Sequence, residues 1–217
     1  YAAHQAAANA PVEPETPVEP ETPVIPQLSD GLKVHFTFAD TQSAIGSYNG
    51  TLCNGASLTT LGSLPVLSLG NADGYFDMGA SVGNVITAID NFTISTNVYI
   101  PTTTSLGGAG NFIYTFANSA DIAADANGCI FFRAGDTDSR YAISTERWET
   151  EQGITMSTSP FADGNWHTIT YRQSDGKGEI YIDGTLVSSG TITVTPSALG
   201  VTEHNYLGRP CYVGDAY

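Results

Sequence analysis

The sequence has few basic residues, which limits the partners it can bind. Its 217 residues contain 7 Lys and Arg against 22 Asp and Glu, so the formal net charge is −15. Such a surface repels the phosphates of nucleic acids and the headgroups of anionic lipids. The sequence also has no apolar run near the roughly 18 residues that a membrane-spanning helix needs. We therefore expect neither nucleic-acid binding nor a transmembrane segment.

Cysteine is scarce, with three residues at Cys53, Cys129 and Cys211. They are far apart and show no Cys-x-x-Cys or Cys/His spacing, so the sequence carries no zinc motif. Their small number and wide separation argue against a disulfide scaffold. The sequence favours three small, buried thiols, with a single bridge between two of them as the alternative.

Long stretches with helical periodicity are also missing, and the one helical candidate, residues 80–89, is expected to form a single turn. Short segments typical of β-strands follow one another at about ten-residue spacing, separated by Gly, Asn and Asp. They are residues 31–38, 52–61, 66–69, 75–78, 91–95, 98–100, 111–116, 129–134, 141–144, 154–157, 192–195 and 206–208. This pattern predicts one all-β domain over residues 31–217, built as an antiparallel two-sheet sandwich.

The most informative stretch is residues 165–184, where hydrophobicity alternates with a period of two. Before a polar, Gly-containing turn, one face carries Trp166, Thr168 and Thr170, and the other carries His167, Ile169 and Tyr171. After the turn, Ile180 and Ile182 alternate with Tyr181 and Asp183. This pattern predicts a β-hairpin, and Asp183-Gly184 predicts a second tight turn, because both residues accept a positive φ.

Residues 1–30 differ in composition from the rest of the chain. Prolines recur at every third position, at Pro11, Pro14, Pro17, Pro20, Pro23 and Pro26, with glutamates between them. Because polyproline II has three residues per turn, these prolines align on one edge of an extended rod. We predict a stiff spacer, polyproline II-like over residues 11–26, that connects the β domain to another domain or an anchor.

The hairpin residues carry a resemblance to a known family. Trp166-His167, the run Tyr181-Ile182-Asp183-Gly184 and the later Leu207-Gly208-Arg209 resemble laminin G-like domains of the concanavalin A-like lectin and glucanase jelly-roll group. Residues 32–38 are similar to the first strand of that family, and residues 91–100 to its central strand. The resemblance implies that Trp166 is buried between the sheets. The chain departs from the family at Asn97, where Trp is usual, and by lacking the usual final strand, which is absent or lies on another chain.

Glucanases with this fold carry paired carboxylates on one strand face, and the nearest segment here is residues 146–151. An extended strand would place Arg147, Glu149 and Glu151 on one face, with the two carboxylates roughly 6 to 7 Å apart. The middle Asp of the glucanase pattern is missing, and Arg147 would keep a carboxylate ionised. We therefore predict no catalysis, and retain a glycoside hydrolase using Glu149 and Glu151 as an alternative.

Calcium is the cofactor that the resemblance implies, because many domains of this group hold Ca²⁺ with loop carboxylates and carbonyls. The candidate ligands are Asp40, at the end of the first strand, Asp73, and the pair Asp136 and Asp138 in one loop. Oxygen ligands suit this hard cation. None of these residues has the spacing of an EF-hand loop, and acidic loops are commonly only solvated turns.

Carbohydrate binding requires an exposed aromatic ring beside hydrogen-bonding groups. The sequence points to Trp148 with Arg147, Glu149 and Tyr141, because an aromatic residue among charges is hard to bury. The leading hypothesis is a non-catalytic glycan-binding or accessory module of an exported, bacterial cell-surface protein, attached to another domain such as a glycoside hydrolase. The alternative is a structural or adhesion domain that binds a protein partner.

Overall fold

A computed structural model describes residues 31–70, 72–108, 110–119, 128–146, 148–157, 159–212 and 214–215. The predicted spacer, residues 1–30, lies outside the described residues, and everything described from Leu32 onward belongs to one unit. In this described part, no helix has the length and hydropathy needed to cross a bilayer.

The described residues form thirteen strands and little helix. The strands are β1 (Thr51–Cys53), β2 (Ser57–Leu61), β3 (Leu64–Ser68), β4 (Tyr75–Asp77), β5 (Phe92–Tyr99), β6 (Phe112–Ala117), β7 (Cys129–Arg133), β8 (Ser139–Ser144), β9 (Gln152–Met156), β10 (Trp166–Ser174), β11 (Lys177–Ile182), β12 (Thr185–Thr191) and β13 (His204–Leu207). One helical turn, α1 (Gly83–Ile86), follows a 3-10 turn at Ala80–Val82, as predicted. Further 3-10 turns lie at Trp148–Thr150 and Pro196–Leu199.

The strands form two facing antiparallel sheets, which confirms the predicted sandwich. The large sheet has the order β1-β4-β13-β6-β7-β8-β9, and the small sheet has the order β12-β11-β10-β5. Strands β2 and β3 pair only with each other. The predicted hairpin is β10 paired with β11, with Ile169 opposite Ile182. At the second predicted turn, Asp183 and Gly184 have φ of 51° and 76°, the conformation of a tight hairpin turn.

The core lies between the two sheets, where alternate side chains of each strand point. The large sheet contributes Tyr114, Phe132, Tyr141 and Ile143, and the small sheet contributes Ile169, Tyr171 and Ile180. All of them are almost completely buried. Burying a large apolar side chain contributes about 1.5–3 kcal/mol, so the period of two in the sequence selects which face of each strand turns inward.

A second, smaller cluster lies on the opposite face of the large sheet. It consists of Phe112, Ala117, Cys129, Phe131, Ala142 and Cys211, with Tyr212 packed against it. Along β7, Cys129 and Phe131 point to this cluster, whereas Ile130 and Phe132 point to the main core. We call this group the outer cluster. Because of the outer cluster, both faces of the large sheet carry buried side chains at β7.

Three predicted strands differ from the structure. Residues 31–38 alternate between exposed and half-buried positions as predicted, but they form only one bridge, Phe36 with Ser43. Phe38 has φ of 59°, which ends the extended conformation. Residues 52–61 are divided between β1 and β2, because Asn54 and Gly55 form a turn with positive φ. Residues 192–195 follow β12 without forming a strand.

Candidate functional site

The structure places Tyr141 away from the sugar-binding cluster predicted around Trp148. Tyr141 is completely buried in the core and stacks on Tyr171, so its predicted place in a surface site is wrong. Residue Arg147 and the side chain of Trp148 lie outside the described part of the chain. The prediction failed at Tyr141 because the strand β8 turns this residue inward, between the two sheets.

The carboxylates of Glu149 and Glu151 do not share the face of an extended strand. Residues Trp148–Thr150 form a 3-10 turn, so the separation predicted from strand geometry is wrong. The side chain of Glu149 is exposed. Glu151 forms an ion pair with Arg140 and accepts a hydrogen bond from the Tyr212 hydroxyl at 3.2 Å. Both carboxylate oxygens of Glu151 are thus engaged by partners within the protein, Oε1 by Arg140 and Oε2 by Tyr212.

The four acidic residues proposed as calcium ligands have other partners or lie apart. Asp138 forms an ion pair with Arg133 at 2.8 Å, and Asp136 accepts a hydrogen bond from the Leu106 amide at 3.0 Å. Asp40 accepts one from the Gln42 amide at 2.8 Å, and Asp73 lies in a turn. Among the described residues, no three Asp, Glu, His or Cys side chains come together as a metal site. Calcium binding therefore stays a prediction.

The indole of Trp166 is on the surface, so its predicted burial between the sheets is wrong. It is 40% exposed and packs against Tyr99, which is 41% exposed and lies directly opposite it on β5. The ring centroids are 5.7 Å apart at an interplanar angle of 49°. The period of two along β10 already places Trp166 with Thr168, opposite the buried Ile169. We call Tyr99 and Trp166 the aromatic rim.

Uncharged polar side chains follow the aromatic rim along the outer face of the small sheet. Thr168 Oγ1 donates a hydrogen bond to Asn97 Oδ1 at 2.7 Å. One step further along the same strands, the hydroxyls of Ser95 and Thr170 are 2.9 Å apart. We call these four residues the polar ladder. Asn97, noted as a departure from the family, thus supplies a hydrogen-bonding group beside the aromatic rim.

An Asp-His-Asp bridge lies where β10 begins, at the residue that follows Trp166. His167 Nδ1 lies 2.6 Å from Asp183 Oδ2, and Nε2 lies 3.0 Å from Asp163 Oδ1, so that both ring nitrogens donate when the imidazole is protonated. These two hydrogen bonds, that to Asp183 first, raise the pKa of His167. The pKa of Asp163 falls to about 2, mainly through the Asn165 side chain and then His167. The bridge ties the turn around residue 163 to the Asp183-Gly184 turn.

The bridge leaves part of each carboxylate free for other partners. Asp163 and Asp183 are both about half exposed. The amide of Thr168 donates to Asp183 at 2.8 Å, and this bond is the main reason that the pKa of Asp183 is lowered. Sequence reasoning identified Asp183 only as a turn residue.

A family model places this architecture among known proteins. The model, described as the concanavalin A-like lectin/glucanases superfamily, matches residues 69–216. This range contains every strand from β4 to β13, and with them the aromatic rim, the polar ladder and the Asp-His-Asp bridge. No curated protein matches the chain.

A solved structure shows the same fold at low sequence identity. Domain 4 of AbnA, a GH43 extracellular arabinanase from Geobacillus stearothermophilus, solved in complex with arabinotriose, is 12% identical. The match covers 85% of this chain and 86% of that domain with a TM-score of 0.58. The CBM40 of the Ruminococcus gnavus IT-sialidase, bound to α2,3-sialyllactose, is 11% identical, with 61% and 71% covered and a TM-score of 0.49.

Proposed function

The chain belongs to the concanavalin A-like lectin/glucanase superfamily, and we propose that it is a non-catalytic carbohydrate-binding module that holds a glycan on the aromatic rim. The observation that carries this proposal is the exposed pair of Tyr99 and Trp166. Large aromatic side chains left on a surface offer an apolar face, and the apolar face of a pyranose or furanose ring stacks on it.

The groups around the aromatic rim suit sugar hydroxyls. The polar ladder offers hydroxyls and an amide, and the exposed oxygens of Asp163 and Asp183 accept charge-assisted hydrogen bonds. A net hydrogen bond contributes about 0.5–1.5 kcal/mol, so stacking and two such bonds together support weak binding, with a Kd around the millimolar range.

The charges near the aromatic rim favour a neutral glycan. Asp163 and Asp183 would repel uronate or sulfate groups, apart from the share of their charge that His167 neutralises. The cations of this sheet, Arg172 and Lys177, both bind Glu179 further along the strands. The similar arabinanase domain was solved with arabinotriose, a neutral sugar chain. We propose an extracellular location for the module, tethered by residues 1–30 to a second domain.

The test begins with an array of neutral and acidic glycans, followed by titration calorimetry with the best ligand. Trp166→Ala is expected to weaken binding about 10- to 100-fold, because about 1.5–3 kcal/mol of apolar contact is lost. The matched control is Leu186→Ala, an exposed apolar residue of the same sheet that lies two strands away. Equal binding by both variants would contradict the proposal. An arm with EDTA tests the calcium prediction, since chelation abolishes binding only if an ion takes part.

A protein-binding role is the second candidate, and the hairpin of β2 and β3 favours it. At the tip of this hairpin, Leu61 and Leu64 lie opposite each other and are 42% and 55% exposed. Exposed apolar patches are typical of protein interfaces. In that case, no glycan on the array binds, and Leu61→Ser with Leu64→Ser abolishes self-association or partner binding while Trp166→Ala does not.

A further inference from the structure

Two of the three cysteines meet in the outer cluster. Cys129 begins β7, and Cys211 comes after β13, in a segment that runs across the outer face of the large sheet. Both side chains are almost completely inaccessible to solvent, and both are reduced in the structure. The glycan site proposed above uses neither residue, because it lies on the other sheet.

Contacts of the segment 209–212 show how it lies on the sheet. Thr115 of β6 donates to the Arg209 carbonyl at 2.9 Å, and the Tyr212 hydroxyl is 3.7 Å from the Cys129 sulfur of β7. The same hydroxyl donates to Glu151, the residue before β9, at 3.2 Å. The segment therefore crosses the strands between β6 and β9 and brings Cys211 over the face that carries Cys129.

The two thiols lie in one buried cluster and are chemically unequal. The hydrogen bond from Cys211 is the main cause that lowers the pKa of Cys129. Burial is the main cause that raises the pKa of Cys211. Because the thiolate is the nucleophile in disulfide exchange, Cys129 is the thiol that attacks an external disulfide first.

We propose that Cys129 and Cys211 form a disulfide that fastens the segment 209–212 to the outer face of the large sheet when the protein meets an oxidising disulfide. Cys53 is outside this pair, since it lies on β1 opposite Tyr75 and is only half buried. The three cysteines are thus a buried pair, Cys129 and Cys211, and one separate thiol, Cys53.

The chemistry balances with a low-molecular-weight or enzymatic disulfide as the oxidant. The Cys129 thiolate attacks one sulfur of that disulfide, whose S–S bond breaks, and the first thiolate leaves. Cys211 then attacks the Cys129 sulfur of the mixed disulfide and displaces the second thiolate. Two protein thiols lose two electrons, the external disulfide gains them as two thiols, and the two protons from Cys129 and Cys211 end on those thiols.

Burial of Cys129 makes this reaction depend on opening of the segment. An external disulfide reaches the sulfur only when Tyr212 moves away, so the rate of oxidation follows the opening of residues 209–212. Once formed, the bridge closes a loop of about eighty residues, and the midpoint of thermal unfolding is expected to rise by about 5–10 °C.

The experiment treats the full chain with glutathione disulfide and measures the intact mass and the thermal midpoint. The expected result is the loss of two hydrogen atoms, a cross-linked peptide that contains Cys129 and Cys211, and a higher midpoint that dithiothreitol reverses. Cys53→Ser is the control variant and is expected to oxidise like the original chain. Cys211→Ser is expected to form no internal bridge and to gain mass only as a glutathione adduct.

Two results would overturn the proposal. One is a folded chain that keeps three free thiols after long exposure to the oxidant at a temperature where the segment opens. The other is a bridge that contains Cys53. If Cys211→Ser is unstable, Cys211→Ala replaces it. The peptide map of the original chain also tests the proposal without any variant, because it shows whether Cys129 and Cys211 are cross-linked.

Discussion

The outer faces of the two sheets differ in how far their aromatic residues are buried. On the large sheet, Phe112 and Phe131 form a buried cluster under residues 209–212. On the small sheet, Trp166 and Tyr99 are partly exposed to solvent and are followed by the polar ladder. An outward-facing aromatic residue is therefore structural where other residues bury it, and it is available for recognition where it remains exposed.

The composition of each face explains the difference. Along β7 both faces are apolar, because Cys129 and Phe131 alternate with Ile130 and Phe132, and a strand of this kind needs cover on both sides. Along β10 the outward residues after Trp166 are Thr168, Thr170 and Arg172, which water solvates without cover. Along β10, the aromatic rim is therefore followed on this face only by polar residues.

Phe131→Ala in the outer cluster is expected to have the largest effect on stability. Removing a buried phenylalanine is expected to cost about 3–5 kcal/mol of unfolding free energy, since a cavity remains between β7 and Tyr212. Urea unfolding measures this loss. Glycan affinity is expected to stay unchanged in the folded variant, and a loss of affinity instead would place recognition on the large sheet.

Tyr99→Ala changes the exposed aromatic rim and is expected to have a smaller effect on stability. The ring is 41% exposed, so its loss is expected to change unfolding free energy by less than about 1 kcal/mol. Glycan affinity is expected to fall about 3- to 10-fold, less than for Trp166→Ala, because Tyr99 supports the indole and offers less area. Calorimetry on both variants checks the order. A Tyr99 variant that unfolds readily while binding normally would make the aromatic pair structural.

The Asp-His-Asp bridge predicts a pH dependence. The pKa of His167 is raised in the folded state, so its contribution to stability is fully present below about 6.5 and is lost as pH rises through the raised value. The pKa of Asp163 is depressed to about 2, so its contribution is present above the ordinary Asp value and is lost as pH falls through about 2. The bridge is therefore strongest in mildly acidic solution.

His167→Gln is the variant that tests this dependence. The thermal midpoint of the original chain is expected to exceed that of the variant most below pH 6.5, and the difference is expected to shrink through neutral pH and above. A difference that is constant from pH 5 to 9 would show that the imidazolium charge does not contribute. Glycan affinity measured over the same range shows whether the bridge also positions Trp166.

The smallest effect is expected for Glu149→Gln, on the solvated turn Trp148–Thr150. A surface substitution of this kind changes unfolding free energy by less than about 0.5 kcal/mol and leaves glycan binding unchanged. Hydrolysis assays with the glycans that bind provide the enzymatic check. Glucan hydrolysis by the original chain that disappears in Glu149→Gln would restore the glycoside hydrolase alternative.

Sequence reasoning succeeded where the period of two was continuous. It predicted the hairpin of β10 and β11 and the sandwich class, because these depend on local alternation and turn residues. Trp166 was mispredicted when the family resemblance was preferred to the alternation, which had placed it with Thr168. The sequence therefore contained the right orientation of this residue.

The remaining failures concern contacts between residues distant in sequence. The predicted surface position of Tyr141 is wrong because the packing of β8 against the small sheet, where Tyr141 stacks on Tyr171, determines which face of the strand turns inward. The outer cluster depends on residues 209–212 crossing the large sheet, and no local pattern shows that crossing. The strand geometry considered for Glu149 and Glu151 is wrong because residues Trp148–Thr150 form a 3-10 turn.

The most direct test of the account is the solvent exposure of Trp166, measured by its fluorescence in a Trp148→Phe background. With a single remaining indole, the account predicts emission typical of a partly exposed tryptophan, efficient quenching by acrylamide, and a blue shift with protection from quenching when the glycan is added. Blue-shifted emission that acrylamide cannot quench, unchanged by any glycan that binds, would place Trp166 between the sheets and contradict the account.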